Sequence, residues 1–264
     1  MGDGTFTNLR SVLRAYGEGN IFGEAYGDGP VGVVWLHGWA RSSADFAAAG
    51  TAAARQGVAS VALDLPGFGA SPLPARAGGS SHYAHLLEPA LDQLGTEPLV
   101  LVGHSNGGRV ATALALSRPD LVRALVLTGA PLVRVASPRR SPLSYRVVRD
   151  LHRRGVISDS RMEAARHKYG SSDYRNATGL LREVLVASVN EDFADRLDQL
   201  RLPVSLVWGA RDRDVPPAVA ERIAALLVRS ADVQLDVIAD TGHLVPTERP
   251  EVLCTHALAR VTGS

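Results

Sequence analysis

The stretch Leu101-Val-Gly-His-Ser-Asn-Gly-Gly108 decides how the chain is read. An apolar run that begins at Leu99 ends in a serine spaced between two glycines, Gly103-x-Ser105-x-Gly107. Glycine after an apolar strand marks a tight turn, and a plain strand-to-helix corner satisfies that pattern. The spacing supports a sharper expectation. A backbone bent hard here pushes the serine hydroxyl out at the tip of the turn, and a Cβ at either glycine would collide with the neighbouring strand or helix. Such a motif also arises by chance, so the rest of the sequence must decide between a corner and a nucleophile.

Working outward, short runs rich in Val and Leu recur, each closed by a glycine or proline turn. They are Val31–Leu36, Val58–Leu63, Leu99–Val102, Ala124–Leu127, Val204–Trp208 and Val233–Ile238. Continuous rather than alternating apolarity suits strands covered on both faces, as in a parallel sheet. Helical patterns lie between most of them, at Ala44–Arg55, Tyr83–Leu94, Gly108–Ser117 and Ala218–Val228. Strand and helix alternate, so the fold class is α/β, a mostly parallel central sheet with helices on both faces and right-handed crossovers. The segment Phe22–Pro30 is expected to add a leading antiparallel strand and its turn. Leu9, Val12, Leu13 and Tyr16 fall at helical spacing and predict a short amphipathic helix ahead of the domain.

One region breaks the rhythm. Residues 131–200 contain no convincing strand, and helix formers are mixed there with many arginines. A segment of this length between two strands is too long for a simple loop and reads as an inserted helical lid in a single domain spanning 1–264. Between Arg134 and Lys168 stand ten cations, nine Arg and Lys168, against the three acids Asp150, Asp159 and Glu163.

Composition removes several classes. At 264 residues the chain suits one α/β domain with an insertion. A formal net charge of +1 leaves no electrostatic footprint for nucleic acid. All basic residues but Lys168 are Arg, which, with the many alanines, reads as genome composition. The single Cys254 precludes an internal disulfide framework and is expected to be a small buried hydrophobe. No Cys/His cluster has metal-ligand spacing. Residues 1–10 lack the charged start and apolar core of a signal peptide, and no stretch approaches a membrane span. The expectation is a soluble, cytoplasmic protein.

Ligands of open α/β sheets sit beyond the carboxyl ends of the strands, so the residues that follow each run are a functional test. In order they are His37-Gly38-Trp39, Asp64 to Gly69, the Ser105 elbow, Gly129-Ala130-Pro131, Gly209 to Pro216, and Asp240-Thr241-Gly242-His243. Serine, acid and histidine thus occur at strand ends in the order of α/β-hydrolases. Over essentially its whole length the chain resembles a serine-nucleophile α/β-hydrolase. The likeness rests on His37-Gly38-Trp39, Asp64 to Ser71, Gly103 to Gly107, Gly209 to Pro216 and Gly242-His243 in that order.

Beside the resemblance stands the chemistry. Ser105 needs a base to take its proton as it attacks a carbonyl, and His243 is able to do so near neutral pH. Asp212 would hold the imidazole in the useful tautomer. Asp214 and Asp240 compete for that place; the family's acid lies three residues past the glycine of this loop, which selects Asp212. Backbone N–H groups of Trp39 and Asn106 are the expected oxyanion donors. Asp214 is expected to cap the following helix or pair with an arginine, and Asp64 to tie down its Pro-Gly turn. His37 and His104 are assigned structural parts. His82, His85, His152, His167 and His256 are expected on the surface or lid.

The resemblance implies a carboxylic ester hydrolase acting through an acyl-serine, without cofactor or metal, on a small-molecule ester. Serine at the elbow argues against the dehalogenases and epoxide hydrolases that use aspartate there. Carbon–carbon hydrolases, cofactor-free haloperoxidases and hydroxynitrile lyases keep a serine and stay open. The arginine-rich lid, with Leu36 to Trp39 and Asp64 to Gly69, is also similar to the pimeloyl-carrier-protein methyl ester esterase, which would make an acidic carrier protein a partner. A non-catalytic ligand receptor is the reading from another class.

Overall fold

The computed structural model describes residues 11–134, 143–169 and 172–263. Eight strands form one sheet: β1 (Val12–Tyr16), β2 (Ile21–Tyr26), β3 (Val31–Leu36), β4 (Ala59–Leu63), β5 (Leu99–His104), β6 (Val122–Thr128), β7 (Val204–Gly209) and β8 (Val233–Ile238). Their spatial order is β1-β2-β4-β3-β5-β6-β7-β8. The pairs β1–β2 and β2–β4 are antiparallel, and every other pairing is parallel.

The continuous apolarity of the central strands has the expected cause, because helices cover both faces. The helices are α1 (Ala47–Arg55), α2 (Ser80–Asp92), α3 (Asn106–Ser117), α4 (Leu143–Arg153), α5 (Asp159–Tyr169), α6 (Ser172–Asn176), α7 (Gly179–Asn190), α8 (Pro217–Leu226), α9 (Val245–Glu248) and α10 (Pro250–Thr262). Along β3, Val34 and Leu36 point into a core shared with α2, α3 and α8, while Val33 and Trp35 point into one shared with α1 and α10. All four side chains are fully buried, each worth ~1.5–3 kcal/mol in transfer from water. Cys254 is buried in the second core, as a small hydrophobe should be.

The amino-terminal helix does not form; its place is taken by β1. Gly17, Glu18 and Gly19 all adopt positive φ and turn the chain tightly enough for Val12–Tyr16 to pair with β2. The pairing of an edge strand overrides the helical spacing. Val12 and Leu13 stay about half exposed on that edge, so the spacing reflected no buried face. Leu9 lies outside the described residues.

The parallel part of the sheet begins at β3, runs outward to β4, then crosses back to β5 on the other side of β3. That reversal opens a crevice at the carboxyl ends of β3 and β5, where open α/β sheets hold their ligands. The insertion between β6 and β7 carries α4 to α7 and is fastened beside this crevice. Arg109 of α3, 4% exposed, donates to the carbonyls of Pro131, where the insertion begins, and of Ser188 and Glu191, where its last helix α7 ends. The Glu191 carboxylate accepts from the Ser80 N–H at 2.7 Å and the Ser81 N–H at 3.3 Å, the unpaired donors of the first turn of α2. Phe193 then packs beneath the Arg109 guanidinium, 5.4 Å from the ring centre.

Candidate active site

Ser105 sits between the end of β5 and the start of α3 with φ 51° and ψ −113°, a backbone conformation that costs a non-glycine residue ~1–3 kcal/mol. Its own N–H bonds the Thr128 carbonyl at 2.9 Å, and its carbonyl takes the Gly108 N–H at 3.1 Å, so strand and helix hold the turn from both sides. The flanking glycines are required by contact. A Cβ on Gly103 would lie 2.5 Å from Gly108 Cα, and one on Gly107 would lie 2.1 Å from the Leu36 carbonyl oxygen. The bend expected from Gly-x-Ser-x-Gly is therefore built as read.

Loops after β7 and β8 bring the acid and the histidine together. His243 Nδ1 lies 2.7 Å from Asp212 Oδ2. The Asp212 Oδ1 accepts the N–H groups of Asp214 at 2.9 Å and Val215 at 2.8 Å, so its buried carboxylate is held at both oxygens. Gly209 permits the approach of the two loops, since a Cβ there would meet the Gly242 carbonyl at 2.0 Å. Glu248 fixes the histidine loop from beneath by accepting the N–H of Gly242 at 2.7 Å and of Leu244 at 3.2 Å. Burial pulls the His243 imidazole down, but the bond to Asp212 and the charges of Asp212, Asp214 and Asp173 outweigh it and hold its pKa above the usual histidine value. Nδ1 donates to the carboxylate, which leaves Nε2 as the proton-accepting nitrogen.

Ser105, His243, Trp39 and Asn106 all line one cleft of about 650 Å³. Asn106 is the first residue of α3, so its N–H has no acceptor within the helix. The Trp39 ring is braced edge-on against Phe68 at 5.0 Å, and Ala40 beyond it takes a positive φ. Pro131, Leu132 and Val133 from the start of the insertion, with Leu185 and Val189 of α7, give the cleft an aliphatic wall. Arg41, Arg134, Asp173 and Asp214 also line it.

The competing acids go elsewhere. Asp240 pairs with Arg211. Asp214 neither caps α8, whose cap residue is Pro216, nor pairs with an arginine among the described residues; it lies exposed in the cleft wall. The expectation of a cap fails because α8 starts at Pro217, so the cap position falls to Pro216, two residues beyond Asp214. Donor atoms of Asp212, Asp214 and His243 lie within 4.8 Å of one another, but those of Asp212 and His243 are engaged as described. His37 is structural as expected: burial depresses its pKa, Nδ1 donates to the Gly38 carbonyl at 2.7 Å, and Nε2 accepts the Leu65 N–H at 3.0 Å. Asp64 ties down its turn through the Ala70 N–H at 2.8 Å and reaches the Ser43 N–H at 2.6 Å as well. Arg109, Glu191, Glu248 and Asp173 were not singled out from sequence. Only Arg109, a lone charge in the apolar run of α3, carried a signal.

Arg153, Arg154 and Arg161 are exposed on the insertion, and Arg149 lies 3.5 Å from Asp150. Arg139 and Arg140, and the side chains of Arg146, Arg166, His167 and Lys168, lie outside the described residues. No described helix is long and apolar enough to cross a membrane.

With this geometry in place, comparison with known proteins gives a match of residues 32–250 to the alpha/beta hydrolase fold. The chain belongs to the α/β-hydrolase family. It is similar to YugF, an uncharacterized hydrolase of Bacillus subtilis, with 27% identity over 218 residues, 74% of this chain and 77% of that one. It is also similar to a 2-hydroxy-6-oxononadienedioate/2-hydroxy-6-oxononatrienedioate hydrolase of Klebsiella pneumoniae, 28% identical over 247 residues and 85% of each chain. Among solved structures, an esterase of Exiguobacterium antarcticum superposes with a TM-score of 0.71 at 20% identity, over 96% of this chain and all of the other. That last likeness speaks for the fold alone. This α/β-hydrolase is thus a hydrolytic enzyme by family and by relatives.

Proposed function

We propose that this hydrolase cleaves carboxylic esters through an acyl-serine intermediate. Ser105 Oγ attacks the ester carbonyl carbon while His243 Nε2 takes its proton, and Asp212 stabilises the imidazolium that forms. The carbonyl oxygen becomes an oxyanion facing the N–H groups of Trp39 and Asn106. Collapse expels the alcohol, which leaves with the proton held by His243. Water then attacks the acyl-serine, gives a proton to the same nitrogen, and releases the carboxylic acid and Ser105. Residues 131–200 act as a lid, a reading supported by the Pro131–Val133 and α7 side chains that line the cleft.

The observation that carries this reading is the 2.7 Å contact of His243 with Asp212 on the cleft that Ser105 lines from a strained elbow. A fluorophosphonate probe is the test. It should label Ser105 covalently, and Ser105→Ala should abolish both labelling and turnover of short-chain aryl esters. Labelling elsewhere, or normal turnover by the alanine variant, refutes the assignment and reopens the ligand-receptor reading.

A second reading is favoured by the Klebsiella relative, whose name describes hydrolysis of a 2-hydroxy-6-oxo dienedioate. Cleavage of such a carbon–carbon bond, with aryl esters untouched, would select it. The carrier-protein substrate is the third. Salt should then suppress turnover of a carrier-linked methyl ester far more than turnover of a neutral small ester, because the exposed arginines act over a Debye length of ~8 Å. Equal salt dependence removes the carrier protein from consideration.

A further inference from the structure

His104 precedes the elbow serine and is used by no step above. Its ring is 1% exposed, and its centre lies 4.8 Å from that of His243. Nε2 stands 3.0 Å from the main-chain carbonyl oxygen of His243. A carbonyl only accepts, so Nε2 carries the proton and Nδ1 is bare in the neutral ring. That Nδ1 has no hydrogen-bond partner among the described residues and faces Gly38, where a Cβ would lie 2.8 Å away. One buried ring therefore belongs to the elbow, bonds the loop of the histidine, and packs on the loop that presents the Trp39 N–H.

We propose that His104 is a positioning residue, which sets the main chain of His243 and the Trp39 loop relative to Ser105 through an uncharged hydrogen bond. The proposal rests on the acyl-serine reading and deepens it. Neutrality matters because His243 becomes cationic during turnover, and a second charge beside it would oppose that step. Burial, then the neighbouring His243, depress the His104 pKa to about 3, with the more distant Arg41 and His37 acting the same way. Protonation would also place a new N–H on Nδ1 where nothing accepts it. The bond holds over the whole working pH range.

Two amide variants separate this role from simple packing. His104→Gln carries an N–H to the position of Nε2 and keeps the bond to the His243 carbonyl. His104→Asn reaches only the position of Nδ1 and loses it. Displacing a reacting group by ~1 Å costs on the order of 10²-fold, so Asn should lower kcat ~10–100-fold with KM changed less than ~2-fold. Gln should restore kcat to within ~3-fold of wild type. If Asn fails to give a cooperative melt, His104→Leu, of similar volume and without a donor, takes its place in the comparison. Equal kcat in the donor-bearing and donor-free variants, or a loss confined to KM, overturns the proposal. Fluorophosphonate labelling of the wild type, run in parallel, tests the underlying reading by itself. A labelled, active wild type whose variants turn over alike refutes the positioning role alone.

Discussion

Replacing Asp212 by Asn tests the site most directly, because the hydrogen bonds dictate what happens. Asp212 Oδ1 serves two backbone donors, Asp214 at 2.9 Å and Val215 at 2.8 Å, while Oδ2 serves His243 Nδ1 at 2.7 Å. An asparagine satisfies the two backbone donors only by putting its oxygen where Oδ1 was. Its NH₂ then faces Nδ1, which must become an acceptor, so the imidazole proton moves to Nε2. In that tautomer the nitrogen meant to accept the Ser105 proton no longer has a lone pair. The fold loses no backbone partner, so the melting temperature should move by only a few degrees. The rate should not survive. A wrong tautomer in such a triad costs ~10⁴ in kcat, equivalent to about 5 kcal/mol of transition-state stabilisation. The assay is initial rate against a short-chain aryl ester for wild type, Asp212→Asn, Asp214→Asn and Asp240→Asn at matched fold content. Activity of Asp212→Asn within tenfold of wild type refutes the reasoning, and so does collapse in either of the other two variants.

The proposed base role requires His243 unprotonated, and its pKa is held above the usual histidine value of 6.5, so kcat/KM should rise with pH along a limb centred above 6.5. Asp214→Asn removes one of the charges that raise it and should shift that limb toward acid by less than ~1 unit, read from a pH–rate profile. The same raised pKa adds to stability below the unfolded histidine value, and the contribution fades as pH climbs through the folded value, visible as a falling melting temperature. Gly107→Ala drives a Cβ to 2.1 Å from the Leu36 carbonyl and should cost ~3 kcal/mol or more, a drop of at least ~6 °C in Tm by calorimetry. Arg109→Met removes the donors to Pro131, Ser188 and Glu191, and hydrogen exchange should quicken across α7 while β3 and β5 stay protected.

Strands β3 to β7 were legible because a strand covered on both faces must be apolar at nearly every position, whereas β8 is an edge strand with Leu235 and Val237 exposed and was legible only from its alternating apolar residues. Their ends were legible because loops that converge need glycines where backbones nearly touch, as Gly209 does against Gly242. Ser105, Asp212 and His243 could be singled out for the same reason, each following a strand, and the structure brings Asp212 against His243 on the cleft that Ser105 lines. Edge strand β1 was not legible, since Val12 and Leu13 are exposed and only the Gly17–Gly19 turn betrays the hairpin. Glu191 and Glu248 were invisible too. Each binds backbone N–H groups, and nothing in an acidic residue's neighbours in sequence marks which amide it will reach.

The grip of Arg109 on the start of the insertion and on the end of its last helix also bears on how new specificities arise on this scaffold. The carbonyls of Pro131 and Ser188 meet on one guanidinium, so the polypeptide between them starts and finishes at the same point of the core. Lengthening a loop whose ends are already pinned costs only ~0.6 kcal/mol per doubling. The segment from 132 to 187 is thus an interchangeable cartridge: foreign helices spliced between those two anchors would replace Leu132, Val133 and Leu185 of the aliphatic wall and leave the Asp212–His243 contact untouched.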